Sequence, residues 1–270
     1  MVRIRCWLAA ALLAVGCCQA APAQPAKTVF VEELTWTELR DAISAGKTTV
    51  IVPVGGTEQS GPHIVLGKHN VRVRTLAGRI AAGLGNALVA PVVAYVPEGS
   101  IDPPAGHMRF AGTISIAEPA FEATLEGAAR SFRRHGFRDI VLIGDHGGTQ
   151  KSLARVAARL DREWAGSPVR VHAVEEYYRS GERAVADALR REGVSDAQIG
   201  VHAGAADTSL ALAVDEQLVR SARLHDGSPL GPAEGVQGDP RRASAAAGRA
   251  ALDAIVARTR DAIQREVARH

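Results

Sequence analysis

Residues 139–150 read DIVLIGDHGGTQ. The first six form a short, branched, apolar run between turn signals. A run without polar alternation is the mark of a strand buried on both faces. From Gln150 to Trp164 the pattern turns to that of an amphipathic helix. A buried strand that passes through glycines into a helix is the repeating unit of an α/β protein with a parallel sheet.

The rest of the chain repeats this alternation. Thr48 to Val54 and Val169 to Val174 read as further strands, and Ala87 to Val96 as another that ends at Pro97. Helices are predicted over 36–45, with Thr35 capping before Glu38, and over 71–83, 119–135, 181–192 and 208–215. A long helix is predicted over 243–268, after a Gly/Pro-rich loop at 227–240. The expected fold class is α/β, a three-layer sandwich with a mainly parallel central sheet flanked by helices. Residues 24–270 read as one domain, since neither a repeat nor a splitting linker interrupts them. In such sheets the polar loops after the strands carry the site.

Composition narrows the class. The chain has 270 residues, 46% hydrophobic and 23% charged, which is ordinary for a globular protein and excludes collagen-like, coiled-coil and wholly disordered readings. Lys and Arg total 32 against 29 Asp and Glu, and two of those cations, Arg3 and Arg5, fall in a segment read as removed. The remainder is near neutral, so nucleic acid is not an expected partner.

That segment, residues 1–23, has two arginines, an apolar run from Cys6 to Val15 and the small-residue site Ala21-Pro22-Ala23. It reads as a secretory signal peptide, its apolar run too short to span a bilayer. Ala14-Val15-Gly16-Cys17 offers a second reading, a lipoprotein signal with a lipid anchor on Cys17. Either way the product is exported, periplasmic or secreted. Cys6, Cys17 and Cys18 are the chain's cysteines, so cleavage after Ala23 leaves neither a disulfide framework nor a thiol nucleophile. A metal would have to be held by His, Asp and Glu.

Three loops carry the groups that could do so. After the first strand come Glu58, Ser60, His63 and His69; a carboxylate with imidazoles suits a divalent metal, and a solvated turn is the alternative. After 139–144 come Asp145 and His146, with Asp145 either a ligand or an acceptor that orients an imidazole. The third loop holds His202, a ligand or proton carrier, and Asp207, a ligand or simply a helix cap. His107 lies in a Pro/Gly loop that could line the same mouth, while His172 reads as a packed core residue. The glycines of 144–148 match neither G-x-G-x-x-G nor a Walker pattern, and Ser60 is not in a G-x-S-x-G elbow.

Five stretches together carry a resemblance: PVGGTEQSGPHIVLGKHN (53–70), GHMRFAGTISI (106–116), IGDHGGTQ (143–150), HAGAADTSL (202–210) and GVQGDPRRAS (235–244). The chain resembles the creatininase (creatinine amidohydrolase) family of metal-dependent amidohydrolases. The resemblance implies hydrolysis of an amide C–N bond, a homo-oligomer, and one or two zinc, manganese or iron ions. It places ligands at Glu58, at the positions of Ser60 and His69, at His146 and at an acid near Asp207. The family's best-known members carry His at the position of Ser60, Asp at that of His69 and an acid at that of Gly148. An acid is also common at the position of Ala205, and Glu is usual at that of Asp207. These departures favour one ion over two, held by Glu58, His69, His146 and Asp207, and argue against creatinine as substrate. Ser60, His63 and His107 are expected at the substrate pocket. His202 is expected to protonate the leaving nitrogen, and Asp145 to orient an imidazole. The rival reading is an exported, non-catalytic metal- or ligand-binding protein with a degenerate site.

Overall fold

The computed structural model describes residues 28–269. Residues 1–23, expected as a signal peptide, with their cysteines, and His270 lie outside the described residues. Helices α1 (Trp36–Ser44), α2 (Lys68–Leu84), α3 (Glu118–His135), α4 (Gln150–Glu163), α5 (Glu176–Arg191), α6 (Asp196–Ile199), α7 (Ala205–Val214) and α8 (Ala245–Val267) surround strands β1 (Thr49–Val54), β2 (Ala87–Val89), β3 (Asp139–Gly144) and β4 (Arg170–Ala173). The strands pair in the order β2-β1-β3-β4, all parallel, with Val50 opposite Leu88 on one side and Ile140 on the other.

Every residue of β1 is buried, as a strand covered on both faces requires. Successive side chains point to opposite faces. Ile51, Val141 and Ile143 join the core formed with α2, α5, α7 and α8. Val50, Val52, Ile140 and Leu142 join the core formed with α1, α3 and α4. The result is a three-layer α/β sandwich with a four-stranded parallel sheet.

Local signals fix several element ends. Thr35 closes a capping box, its hydroxyl accepting from Glu38 N–H at 3.3 Å while its own N–H donates to Glu38 at 2.7 Å. Other boundaries differ from the pattern-based ones. The predicted strand over 87–96 is a ladder only over 87–89: Ala90 N–H still donates to Ile51, but past Pro91 the next bond to β1 comes one residue late, from Val93 N–H to Pro53, and Val93 keeps a single bridge to Val54. α2 begins at Lys68 rather than Val71, which moves His69 from the loop onto the first turn of a helix. α5 begins at Glu176, five residues early, and α7 at Ala205. Among the described residues, no helix is long and apolar enough to cross a membrane.

The chain runs from β1 to β2 on one side, then crosses to β3 on the other. The crevice above the C-terminal ends of β1 and β3 is therefore the point where the winding reverses, the usual ligand position of an open α/β sheet.

Candidate metal centre

Glu58 follows β1 and His146 follows β3, so the switch point brings them together although 88 residues separate them in sequence. Glu58 is fully buried. Its Oε1 accepts from His69 Nε2 at 2.8 Å and lies 3.6 Å from Lys68 Nζ. Its Oε2 has no hydrogen bond and faces His107 Nε2 at 3.2 Å and His146 Nε2 at 3.4 Å. Glu58, His107 and His146 each offer a ligand atom within 4.8 Å of the others. Burial would raise the Glu58 carboxyl, but the imidazoles of His146 and His69 and the charge of Lys68 outweigh it and hold the group well below the usual range.

Behind this trio lies a fixed charged layer. Asp145 accepts from His69 Nδ1 at 2.6 Å, from Arg72 Nε at 2.8 Å and from the Tyr177 hydroxyl at 2.7 Å. With Glu58 on the other nitrogen, His69 is held between two carboxylates. Asp145 thus holds the His69 ring by its Nδ1. Asp207 lies apart from the trio. Its Oδ2 accepts from Lys68 Nζ at 2.8 Å and from Ala203 N–H at 2.9 Å, and its Oδ1 lies 3.4 Å from Arg72. Of the four expected ligands, Glu58 and His146 therefore meet directly, His69 grips Glu58 from behind, and Asp207 serves the two buried cations.

The other expected residues divide in the same way. His107 comes closer than a pocket-lining role needs. Ser60 and His63 are fully buried and lie outside the cavity wall, with His63 Nε2 paired to the Thr208 hydroxyl at 3.0 Å. Burial, helped by Lys68, pushes His63 down to about 4. His202 reaches the centre: its Nε2 donates to the backbone carbonyl of Gln59 at 2.9 Å, and its Nδ1 lies 3.7 Å from Glu58 Oε1. Burial, then Lys68, pushes His202 down to about 4, so the ring is neutral near pH 7. Ala203, beside it, is the one non-glycine with positive φ (52°) among the described residues, and its N–H is aimed at Asp207.

Two residues beside the cluster escape the sequence reading. Gln59 lies with its side-chain amide 3.0 Å from His107 Nδ1. Glu98, from the loop after β2, is buried with both carboxylate oxygens unbonded, and its Oε2 lies 3.4 Å from His146 Nε2. Burial and then the Glu58 carboxylate push Glu98 up to about 9. Gln59 falls within the 53–70 stretch without being singled out there, and Glu98 falls in none of the five stretches. Gln59 stands next to an expected ligand, but Glu98 stands 40 positions from Glu58 and only the fold joins them.

A cavity of about 550 Å³ opens over these groups, walled by Glu58, Lys68, His107, His146, Tyr178 and His202 among others. That size suits a small ligand.

Known proteins place this arrangement. The family model described as creatinine amidohydrolase matches residues 32–263. The creatinine amidohydrolase of Pseudomonas putida is 30% identical over 89% of this chain and 98% of its own length. A mycofactocin precursor peptide peptidase of Mycobacterium ulcerans is 30% identical over 74% of this chain and 78% of its own. A crystal structure of creatininase superposes with a TM-score of 0.75 at 30% identity, covering 90% of this chain and 99% of that one. A manganese form of creatininase superposes equally well, at 0.75 and 29% identity. On the match of the family across nearly all of the described residues, and on a carboxylate and two histidines gathered at the switch point, the chain belongs to the creatininase family of metal-dependent amidohydrolases.

Proposed function

We propose that this chain hydrolyses the C–N bond of a small amide at a single divalent cation held by Glu58 and His146, with His107 beside it. The observation that carries the proposal is Glu58 Oε2. It is a buried carboxylate oxygen without a hydrogen bond, flanked by imidazole nitrogens at 3.2 and 3.4 Å. A buried charge left in this state is costly, and oxygen with imidazole nitrogen is a donor set for zinc, manganese or iron. When bound, such an ion brings the pKa of water toward neutrality and polarises a carbonyl.

The chain's own groups do the rest. His69, clamped by Asp145, fixes Glu58 by its other oxygen so that Oε2 faces the centre. Lys68 and Arg72 satisfy Asp207 and Asp145, which keeps both acids away from the cluster. His202 gives its Nε2–H to Gln59, so its Nδ1 lone pair faces the cavity. A neutral ring there accepts the proton released as water attacks and passes it to the departing nitrogen. The cavity's modest size, about 550 Å³, supports a compact amide over a long peptide.

The test is metal analysis of the purified protein together with a screen of lactams, formamides and ureides. One zinc, manganese or iron per chain is expected, lost in Glu58→Gln and His146→Ala. His202→Gln should keep the metal and lose about 10²–10⁴-fold in kcat. A protein that takes up no metal, or turns over none of these amides, overturns the proposal. The proposal includes export, with residues 1–23 removed as a signal peptide or a lipid placed on Cys17, and assembly as a homo-oligomer. Mass spectrometry of the mature N-terminus and light scattering check both.

A further inference from the structure

The geometry points to Glu98 as a protein ligand of the cation, completing with Glu58 and His146 a three-ligand site, while His107 stays a hydrogen-bond donor beside it. This deepens the metal-hydrolase reading and rests on it. Glu58 Oε2 and Glu98 Oε2 each stand 3.4 Å from His146 Nε2. Bonds of 2.0–2.2 Å around a tetrahedral ion set neighbouring donors about 3.3–3.6 Å apart. Both oxygens of Glu98 and Oε2 of Glu58 are buried without hydrogen bonds. The buried cations Lys68 and Arg72 bond to Asp207 and Asp145 instead.

The backbone makes room for this carboxylate. A Cβ on Gly56 would stand 2.6 Å from Glu98 Oε1, so the glycine lets Glu98 lie over the end of β1. Nothing comparable comes from the β3 turn, where Gly148 has no side chain to offer.

His107 is held differently. Gln59 Oε1 accepts from Gly61 N–H at 2.9 Å, which turns its NH₂ toward His107 Nδ1 at 3.0 Å and the Gly235 carbonyl at 3.3 Å. Nδ1 therefore accepts, and the neutral ring carries its proton on Nε2, facing Glu58. A nitrogen bearing hydrogen donates to a substrate oxygen; it does not ligate a metal. Three protein ligands and one open side, with His107 and His202 facing it, is the pattern of a catalytic rather than a structural site.

The experiment strips the full-length protein with a chelator and measures zinc affinity by competition. Glu98→Gln should weaken zinc by about tenfold or more, while His107→Asn leaves zinc affinity unchanged and loses turnover. Melting reads the same point again. Zinc raises the wild-type midpoint, and Glu98→Gln shrinks that rise while its metal-free midpoint stays at or above wild type, since a buried acid without hydrogen bonds is replaced by a neutral amide. Glu98→Asp, which keeps the carboxyl group but shortens its reach, should also weaken zinc. Unchanged affinity in both Glu98 variants, or an equal loss in His107→Asn, overturns the assignment. If Glu58→Gln abolishes zinc uptake and the Glu98 variants do not, the assignment of Glu98 alone falls. If the wild type binds no zinc, manganese or iron, the hydrolase reading falls and this one with it.

Discussion

At the scale of single residues, Asp145 supports the centre without belonging to it. It receives His69, Arg72 and Tyr177 together in a buried position. Burial would raise its carboxyl, but Arg72 and His69 outweigh burial and hold it well below the usual range. A depressed folded-state value stabilises the protein above the unfolded carboxylate value, and that stability is lost as pH falls below about 4. Asp145→Asn leaves buried Arg72 with only its longer contact to Asp207, 3.4 Å away, at a cost of up to about 3–5 kcal/mol. Urea unfolding at pH 7 should show that loss, and the difference between wild type and variant should narrow in acid. Gly56 gives a second residue-scale prediction. Gly56→Ala puts a methyl 2.6 Å from Glu98 Oε1, so it should lower zinc affinity, with a separate stability cost from the positive φ (157°) and the Val96 contact at 3.3 Å. The unmoved binding constant would show that the carboxylate does not need its present place.

At the scale of elements, the sequence displays what local chemistry controls. β1 and β3 are legible because unbroken branched runs have few other solutions, and α1 because Thr35 and Glu38 form a capping box. Boundaries set by contacts with distant segments are not legible. α2 starts three residues before its apolar pattern because Lys68 and His69 are anchored by Asp207, Asp145 and Glu58, so polar groups are buried in its first turn. Pattern reading assigns such residues to a loop. This is why His69 is expected in a loop and is found in a helix, bonded to Glu58. The same tertiary control appears where α8 crosses α7. A Cβ on Gly248 would overlap the backbone of Ser209, so the two helices approach at a glycine. Gly248→Val should therefore force them apart and cost about 1–3 kcal/mol or more. Chemical denaturation measures this, and a variant as stable as wild type would show that the contact is soft.

At the scale of the whole molecule, the centre exists only because the winding reverses between β1 and β3. Strand order is a property of the assembled sheet, and no stretch of sequence states it. The site's location after the strands is therefore legible while its membership is not. Glu58 comes from the loop after β1, Glu98 from the loop after β2, His146 from the loop after β3 and His202 from the segment before α7. In the unfolded chain these groups are scattered over about 150 residues, so a cation that needs several of them at once binds the folded state alone. Binding must then stabilise the fold by mass action, by about 2.7 kcal/mol when free zinc is 100 times its dissociation constant. For a protein of this size each kcal/mol moves the midpoint by roughly 2–4 °C, so saturating zinc should raise it by about 5–10 °C over the stripped protein. Scanning calorimetry at several zinc concentrations tests this directly. The midpoint should climb with the logarithm of free zinc in the wild type and stay flat in Glu58→Gln. A rise of equal slope in both would mean that zinc binds the surface, and that the strand-end groups converge for some purpose other than holding a cation.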